Sequence, residues 1–181
     1  MKKVIVLDRD GVINKELGRH VLSWDEFYFL PGALDALAEI NQKGYGVSIA
    51  SNQSAVQAGT LPREVLDDIT RKMLQAIHAA GGEITSVHYC THTPFARCDC
   101  RKPGTDMLKA IARRHGVGTM DLIMIGDSWR DVDAARACNA KPVLVLSGKI
   151  TTKTGHQGIV STYKDLKEIA ACLISQKPVF A

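Results

Sequence analysis

The chain has 181 residues, of which 45% are hydrophobic, so it can build the core of one domain without disulfide staples. Two lysines and four apolar residues precede Asp8, which is too short for a secretory signal, and no apolar run approaches the roughly 18 residues of a membrane span. The 23 basic and 19 acidic residues are interspersed, without the concentrated basic stripe that nucleic-acid binding calls for. We therefore expect a cytoplasmic protein that binds neither membrane nor nucleic acid.

Short apolar runs rich in Val and Ile alternate with stretches of helical period, a pattern typical of βαβ units and a parallel sheet. The expected strands lie at residues 3–7, 45–50, 84–89, 122–125 and 142–146, with residues 159–160 as a candidate for a short sixth. Because the runs are almost continuously hydrophobic, helices should cover both faces of the sheet. The predicted fold is α/β, a doubly wound, Rossmann-like and mostly parallel sheet.

Proline can open a helix and glycine can end it, which predicts five helices. They run from Pro31 to Gly44, from Pro62 to Gly81-Gly82, at about 105–115, from Trp129, and at about 163–174. We see no linker, no repeat and no spare apolar stripe. The sequence therefore predicts a single domain over residues 1–181, and a monomer.

The polar segments that follow the predicted strands carry the chemistry, because ligands of open α/β sheets bind at the carboxyl ends of the strands. Asp8 and Asp10 flank one residue directly after the first strand, and Gly11 permits a sharp turn. Such a pair can bind a hard cation and still leave one carboxylate for acid–base work. Taken in isolation, Asp-x-Asp-Gly is explained equally well by a solvated turn or a helix cap.

Three further strand-end residues favour a phosphate site. Asp127 can supply another acidic ligand, Ser51 a hydroxyl and Lys102 a positive charge. Phosphoryl transfer needs an in-line nucleophile, a magnesium ion, and donors and cations around the equatorial oxygens. Individually, Ser51 is more typical of a helix N-cap and Lys102 of a surface charge, but their joint placement indicates a site.

Cys90, His92, Cys98 and Cys100 form a Cys-x-His-x5-Cys-x-Cys set, four ligands of the types that complete a tetrahedral zinc site. Ligands one residue apart point to opposite sides of an extended segment, so chelation requires a turned loop, which Pro94 permits. Since protein would fill all four positions, the zinc should be structural. A cluster of reduced thiols is the alternative.

The order Asp-x-Asp-Gly, Ser after the second strand, Lys-Pro and Gly-Asp-x-x-x-Asp resembles the haloacid dehalogenase (HAD) superfamily of phosphatases over essentially the whole chain. Within it, the segments at residues 8–14 and 51–54 and the Cys/His loop are similar to the phosphatases of heptose 1,7-bisphosphate, in the histidinol-phosphatase-like subfamily. The resemblance implies a magnesium-dependent hydrolase without a cap domain. It would remove the 7-phosphate of D-glycero-D-manno-heptose 1,7-bisphosphate on the way to ADP- or GDP-heptose for lipopolysaccharide or surface glycans. Histidinol-phosphate phosphatase is the alternative.

The resemblance also implies roles for individual residues. Asp8 would attack phosphorus to form a phosphoaspartate, Asp10 would act as acid and base, and Ser51 with Lys102 would hold the phosphoryl oxygens. Asp8, the backbone carbonyl of Asp10 and Asp127 would bind magnesium. The residues expected to contact the sugar substrate are Glu16, Leu17, Gly18, Arg19, Asn52, Gln53, Ser54, Arg101 and Ser128.

Some positions stay open. The first loop reads Lys-Glu-Leu-Gly-Arg-His at 15–20, where the family usually has an Asp-His-Gly-Tyr type of sequence, which leaves the anomer preference undecided. Asp131 is either a partner of the metal site or the lysine, or a favourable acid in the first turn of a helix. Arg19 and Arg101 are expected to hold the remote phosphate from two sides. Residues 148–158, with Lys149 and Lys153, could clamp a second phosphate, although a mobile polar loop is the preferred interpretation.

A phosphoryl-accepting receiver domain is the rival from another functional class, since it also combines Asp, Ser/Thr and Lys-Pro around magnesium. A receiver accepts phosphate on an Asp after its middle strand, whereas no acidic residue ends the predicted strand at 84–89. The order of the motifs therefore favours the enzyme.

Overall fold

The computed structural model describes residues 3–152 and 160–175. Its sheet has six parallel strands in the order β3-β2-β1-β4-β5-β6. The strands are β1 Val4–Leu7, β2 Gly46–Asn52, β3 Ser86–Cys90, β4 Leu122–Gly126, β5 Lys141–Val145 and β6 Ser161–Tyr163. The chain winds outward from β1 through β2 and β3, then returns to β4 beside β1 and winds the other way. The doubly wound fold is thus confirmed, with its topological switch point between β1 and β4.

Within the described residues, five α-helices cover the two faces of this sheet, as the continuous apolar runs predict. They are α1 Ala33–Gln42, α2 Arg63–Ala79, α3 Asp106–His115, α4 Trp129–Ala137 and α5 Leu166–Ile174. Successive residues of β1 point to opposite faces, so Ile5 and Leu7 join the core under α1, α2 and α5. Val4 and Val6 join the core under α3 and α4. No separate cap domain is present in the described part of the chain, and none of its helices is long and apolar enough to cross a membrane.

Several predicted boundaries differ from those in the structure. The last helix begins at Leu166 instead of residue 163, because residues 161–163 form β6 and Asp165 caps the helix by accepting a hydrogen bond from the Glu168 amide at 2.9 Å. The predicted sixth strand is displaced accordingly, and Ile159 lies outside the described residues. β2 runs on to Asn52, so Ser51 belongs to the end of the strand and not to the loop after it.

Candidate active site

The ammonium group of Lys102 lies at the centre of the charged cluster at the carboxyl ends of the strands. Lys102 is 2% exposed, and its Nζ is 3.1 Å from Asp8 Oδ2, 2.5 Å from Asp131 Oδ1 and 2.7 Å from the carbonyl oxygen of Ala50. Asp8 directly follows β1, Asp131 lies on α4 and Ala50 lies on β2. One buried cation therefore joins three elements at the switch point of the sheet.

The pKa values of this cluster are set by burial and by the mutual charges. Burial lowers the pKa of Lys102, but Asp131 and Asp8 outweigh it and leave that pKa above its usual value. Burial, together with the charges of Asp131 and Asp10, leaves the pKa of Asp8 above its usual value, although Lys102 and a hydrogen bond with Ser51 oppose the rise. The lysine is therefore held as a cation against the Asp8 carboxylate.

Three neighbouring side chains hold the carboxylate of Asp10 in place. Its carboxylate accepts hydrogen bonds from Arg9 Nη2 at 3.0 Å, from Asn14 Nδ2 at 2.8 Å and from Gln53 Nε2 at 2.8 Å. Burial alone would raise the pKa of Asp10, but the Arg9 charge and these hydrogen bonds hold it below its usual value. The orientation of Asp10 is thus fixed before any substrate arrives.

Arg9 is one neighbour of the site whose role the sequence did not indicate. Its side chain is completely buried, its guanidinium carbon lies 5.8 Å from the ring centroid of Phe27 and 5.9 Å from that of Tyr89, and Nη2 also donates to Gln53 at 3.1 Å. Both rings are within cation–π distance of the guanidinium group. The available signal was its position between the two carboxylates, which places a positive charge beside Asp10.

Asp8, Asp127 and Asp131 bring carboxylate oxygens within 4.8 Å of one another. Burial and, to a smaller extent, the charge of Asp8 raise the pKa of Asp127 to about 7. Asp131 is already engaged: Lys102 pairs with Oδ1, and Oδ2 accepts hydrogen bonds from Ser128 Oγ at 2.6 Å and Ser128 N at 3.2 Å. Asp8 and Asp127 are the carboxylates that best fit a hard divalent cation, and Asp8 would share its charge between that cation and Lys102.

The structure shows both of the roles that the sequence left open for Asp131. It is the partner of Lys102, and it is also the acid of a capping box at the start of α4.

Two glycines enclose the Asp127 carboxylate. A Cβ on Gly11 would lie 2.3 Å from Asp127 Oδ2, and a Cβ on Gly148 would lie 2.1 Å from the same atom. Gly11 also has φ +80, in the left-handed region that favours glycine. The sharp turn predicted at Gly11 is present, and the close approach of the two loops leaves no room for any side chain.

A cavity opens above Asp8 and collects most of the residues expected to form the site. Those that line it are Asp8, Asp10, Glu16, Gly18, Arg19, Ser51, Asn52, Ser54, Arg101, Lys102 and Ser128. His20, Arg130 and Lys149 line it as well, and the sequence analysis did not assign His20 or Arg130 to the site. Lys153 lies outside the described residues.

Two of the residues expected to contact substrate do not line the cavity. Leu17 is partly buried and packs against the hydrophobic core. Gln53 is fully buried beneath Asp10, where its amide bonds Asp10, Arg9 and, at 3.2 Å, Ser51 Oγ. Gln53 therefore supports the carboxylate of Asp10 from the protein interior.

Asn52 and Arg19 line the cavity but already have partners. The Asn52 amide bonds the backbone of Lys102 in both directions, with Nδ2 donating to the carbonyl at 3.0 Å and Oδ1 accepting from the amide at 3.1 Å. Arg19 forms a two-point ion pair with Glu26, at 2.8 and 2.9 Å, and this pair lowers the pKa of Glu26 to about 2. Asn52 thus fixes the position of Lys102, and the charge of Arg19 is largely matched.

The four candidate zinc ligands converge on one point. A 3-10 turn at Pro94–Ala96 and a left-handed Arg97 (φ 47) reverse the loop, as chelation requires. The Sγ atoms are 3.2 to 3.6 Å apart, and His92 Nδ1 lies 3.2 Å from Cys100 Sγ and 3.7 Å from Cys90 Sγ. Tetrahedral zinc–sulfur bonds of about 2.3 Å place sulfurs about 3.8 Å apart, so a small expansion would fit the metal.

Comparison with known proteins agrees with this geometry. A HAD-hydrolase-like family model matches residues 99–168. D-glycero-beta-D-manno-heptose-1,7-bisphosphate 7-phosphatase from Pseudomonas putida is 38% identical over 175 residues, which cover 95% of this chain and 99% of that protein. The crystal structure of D,D-heptose 1,7-bisphosphate phosphatase from B. bronchiseptica, complexed with magnesium and phosphate, has a TM-score of 0.89 and 37% identity, covering 96% of this chain and 99% of that chain. A second such structure, from Burkholderia thailandensis, has a TM-score of 0.72 and 34% identity, covering 96% and 99% of the two chains.

The sheet order, the aspartate pair after β1 and these matches define a phosphatase of the HAD superfamily. Within that superfamily, the chain belongs to the D-glycero-D-manno-heptose-1,7-bisphosphate 7-phosphatase family.

The buried pair between Arg9 and Asp10 should matter far more for folding than an exposed pair of the same chemistry. Replacing Arg9 with Met leaves a mostly buried carboxylate unpaired, and we expect the free energy of unfolding to fall by about 3–5 kcal/mol. Arg63→Met is the matched control, because its ion pair with Asp67 on α2 is exposed and should contribute only about 0–1 kcal/mol. Urea denaturation of both variants measures the difference. Equal small losses would contradict a structural role for Arg9.

Proposed function

We propose that this protein hydrolyses the 7-phosphate of D-glycero-D-manno-heptose 1,7-bisphosphate, with Asp8 as the covalent nucleophile. The observation that carries the proposal is the position of Asp8 at the switch point of the sheet, paired with a buried lysine and hydrogen-bonded to Ser51. The names of the relatives support the choice of a heptose bisphosphate over histidinol phosphate. The single domain expected from the sequence is part of the same proposal.

In the first half-reaction, a carboxylate oxygen of Asp8 attacks phosphorus and the bond to the sugar oxygen breaks. Ser51 donates to an equatorial oxygen and Lys102 offsets the negative charge that develops there. Asp10 gives the departing oxygen its proton, which leaves the sugar as an alcohol and Asp8 as a phosphoaspartate.

In the second half-reaction, Asp10 accepts a proton from a water molecule, and that water attacks phosphorus to release phosphate and restore Asp8. Arg9, Asn14 and Gln53 hold the carboxylate of Asp10 in place for both steps. Before substrate binds, these contacts favour the ionised form of Asp10. A negatively charged phosphoryl group close by raises the pKa, so the proton is taken up together with the substrate.

Magnesium fits the oxygen ligands at this site. Asp8, the backbone carbonyl of Asp10 and Asp127 would hold it, and the carboxylate oxygens of Asp8 and Asp127 lie within 4.8 Å of each other. The B. bronchiseptica relative is complexed with magnesium and phosphate, which supports this assignment. When bound, the ion supplies positive charge that orients and neutralises the transferring phosphoryl group.

Zinc fits the Cys/His loop, where Cys90, His92, Cys98 and Cys100 would hold it. All four ligands come from the protein, so the metal would be structural. Cys90 ends β3, and Cys100 directly precedes Arg101 and Lys102. The metal would thereby fix the loop that places these two cations at the cavity.

Replacing Asp8 with Asn should abolish turnover and leave the fold intact, because the amide has the same shape but is a poor nucleophile and removes a metal ligand charge. Asp10→Asn should also fail in multiple turnover. Phosphate release from heptose 1,7-bisphosphate, histidinol phosphate and p-nitrophenyl phosphate measures this, with circular dichroism to verify folding. Asp133→Asn, an exposed change on α4, is the matched control and should keep full activity.

More than a few per cent of wild-type turnover in folded Asp8→Asn would refute the covalent mechanism. A wild-type preference for histidinol phosphate would refute the proposed substrate.

The two metals should respond differently to chelation. A low concentration of EDTA should stop activity, and added magnesium should restore it within mixing time, since hard-oxygen sites keep waters and exchange readily. About one equivalent of zinc per chain should remain bound through this treatment, as elemental analysis would show. Cys98→Ser should lose the zinc, whereas Cys138→Ser, buried in the core under α3 and α4, should retain it. Zinc-free protein from a chelator-free preparation would contradict the structural site.

A further inference from the structure

A second groove lies beside the cavity over Asp8 and is bordered by part of the Cys/His loop. The two spaces share Arg101, Lys102 and Arg130 as lining residues. Arg97 lines the outer groove, and no acidic side chain of the described residues does so. Three arginines therefore line two adjoining spaces, and the outer one has no carboxylate among its described lining residues.

The arginines of this groove carry charge that the protein itself does not match. Neither Arg101 nor Arg130 forms an ion pair with another described residue, and the hydrogen bond found for Arg101 goes to a neutral carbonyl, that of His92, at 3.2 Å. The positive charge on this side of the cavity is therefore available to an anion.

Two other cations that line the cavity are already paired. Arg19 binds Glu26 through both of its terminal nitrogens, and Lys149 Nζ lies 3.6 Å from Glu16 Oε2. An anion that approached Arg19 would have to compete with a two-point carboxylate contact. The sequence expectation that Arg19 and Arg101 bind the remote phosphate from two sides is therefore less favourable than a contact on one side only.

Arg130 is also well anchored. It lies in the first turn of α4, where the helix dipole adds positive potential, and the next residue, Asp131, is fixed by Lys102 and Ser128. The carboxylate of Asp131 is directed to those two partners and does not neutralise the guanidinium group of Arg130. The backbone that carries Arg130 is thus part of the same rigid cluster as Lys102.

We propose that Arg130, together with Arg101, binds the phosphate of the substrate that is not transferred, and that Arg130 is a specificity-determining residue for bisphosphates. This inference rests on the proposed function and deepens it. A guanidinium can present two parallel N–H donors to phosphate oxygens, which suits a dianion better than a single ammonium does. Arg19, in contrast, maintains the shape of the first loop through Glu26.

The test compares a bisphosphate with its monophosphate in wild-type and variant enzymes. Arg130→Ala should lower kcat/KM for heptose 1,7-bisphosphate about 10- to 100-fold, the order for a lost charged hydrogen bond, mainly through KM. On heptose 7-phosphate, which lacks the remote phosphate, the change should stay within about twofold of wild type. Arg130→Lys should restore part of the lost activity on the bisphosphate only. Arg114→Ala, an exposed arginine on α3, matches the change in net charge and should alter neither substrate.

Equal losses on both substrates would overturn the proposal, because Arg130 would then act on the transferring phosphoryl group or on folding. No loss on the bisphosphate would overturn it as well. If the wild-type enzyme does not hydrolyse heptose 1,7-bisphosphate, the proposed substrate fails separately. The same ratios, measured on fructose 1,6-bisphosphate and fructose 6-phosphate, then decide whether Arg130 recognises a second phosphate: a selective loss on the bisphosphate supports the inference, and an equal or absent loss overturns it.

Discussion

The charge of Lys102 is the constraint on which the rest of the site depends. A buried ammonium group is costly unless charged or polar partners surround it, and here Asp8, Asp131 and the carbonyl of Ala50 do so. Each partner comes from a different element, so the lysine can be buried only when β1, β2 and α4 have assembled. The phosphate site is therefore assembled only when these elements fold together.

The Cys/His loop places Lys102 beside Asp8 and Asp131. Cys90 is the last residue of β3, and Cys98 and Cys100 fold back towards Cys90. Lys102 follows two residues after Cys100, and Asn52 binds the backbone amide and carbonyl of Lys102. In the described part of the chain no cap domain closes over the site, so short loops must supply both rigidity and charge. The loop therefore connects β3, at the edge of the sheet, to Lys102, which pairs with Asp8 at the end of the central strand β1.

The sequence was sufficient for features that follow from local patterns. Asp8, Asp10 and Gly11 form a contiguous motif after an apolar strand, and the four metal-ligand candidates fall within eleven residues, so both clusters were predictable from spacing. Asp131 could be placed near Asp127 by one helical turn. The parallel sheet followed from the alternation of apolar runs with helical stretches.

Features that depend on distant pairing were not predictable in this way. The burial of Arg9 between Phe27 and Tyr89 and the location of Gln53 beneath Asp10 require residues far apart in the chain to meet. The pairing of Arg19 with Glu26 gives no sequence signal beyond two opposite charges seven residues apart. Arg130 has the appearance of an ordinary surface charge until the groove beside it is known. The start of α5 was misplaced because the short strand β6 has little hydrophobic pattern of its own.

The central claim, covalent catalysis by Asp8, is tested most directly by identifying the phosphorylated atom. Asp10→Asn slows the second half-reaction, so with p-nitrophenyl phosphate, which has a good leaving group, it should release a burst of about one equivalent of p-nitrophenol per chain. After acid quenching, borohydride reduces an acyl phosphate to an alcohol, and mass spectrometry of the peptides should then find homoserine at position 8 and at no other aspartate. A burst of p-nitrophenol accompanied by unmodified Asp8 would contradict the account.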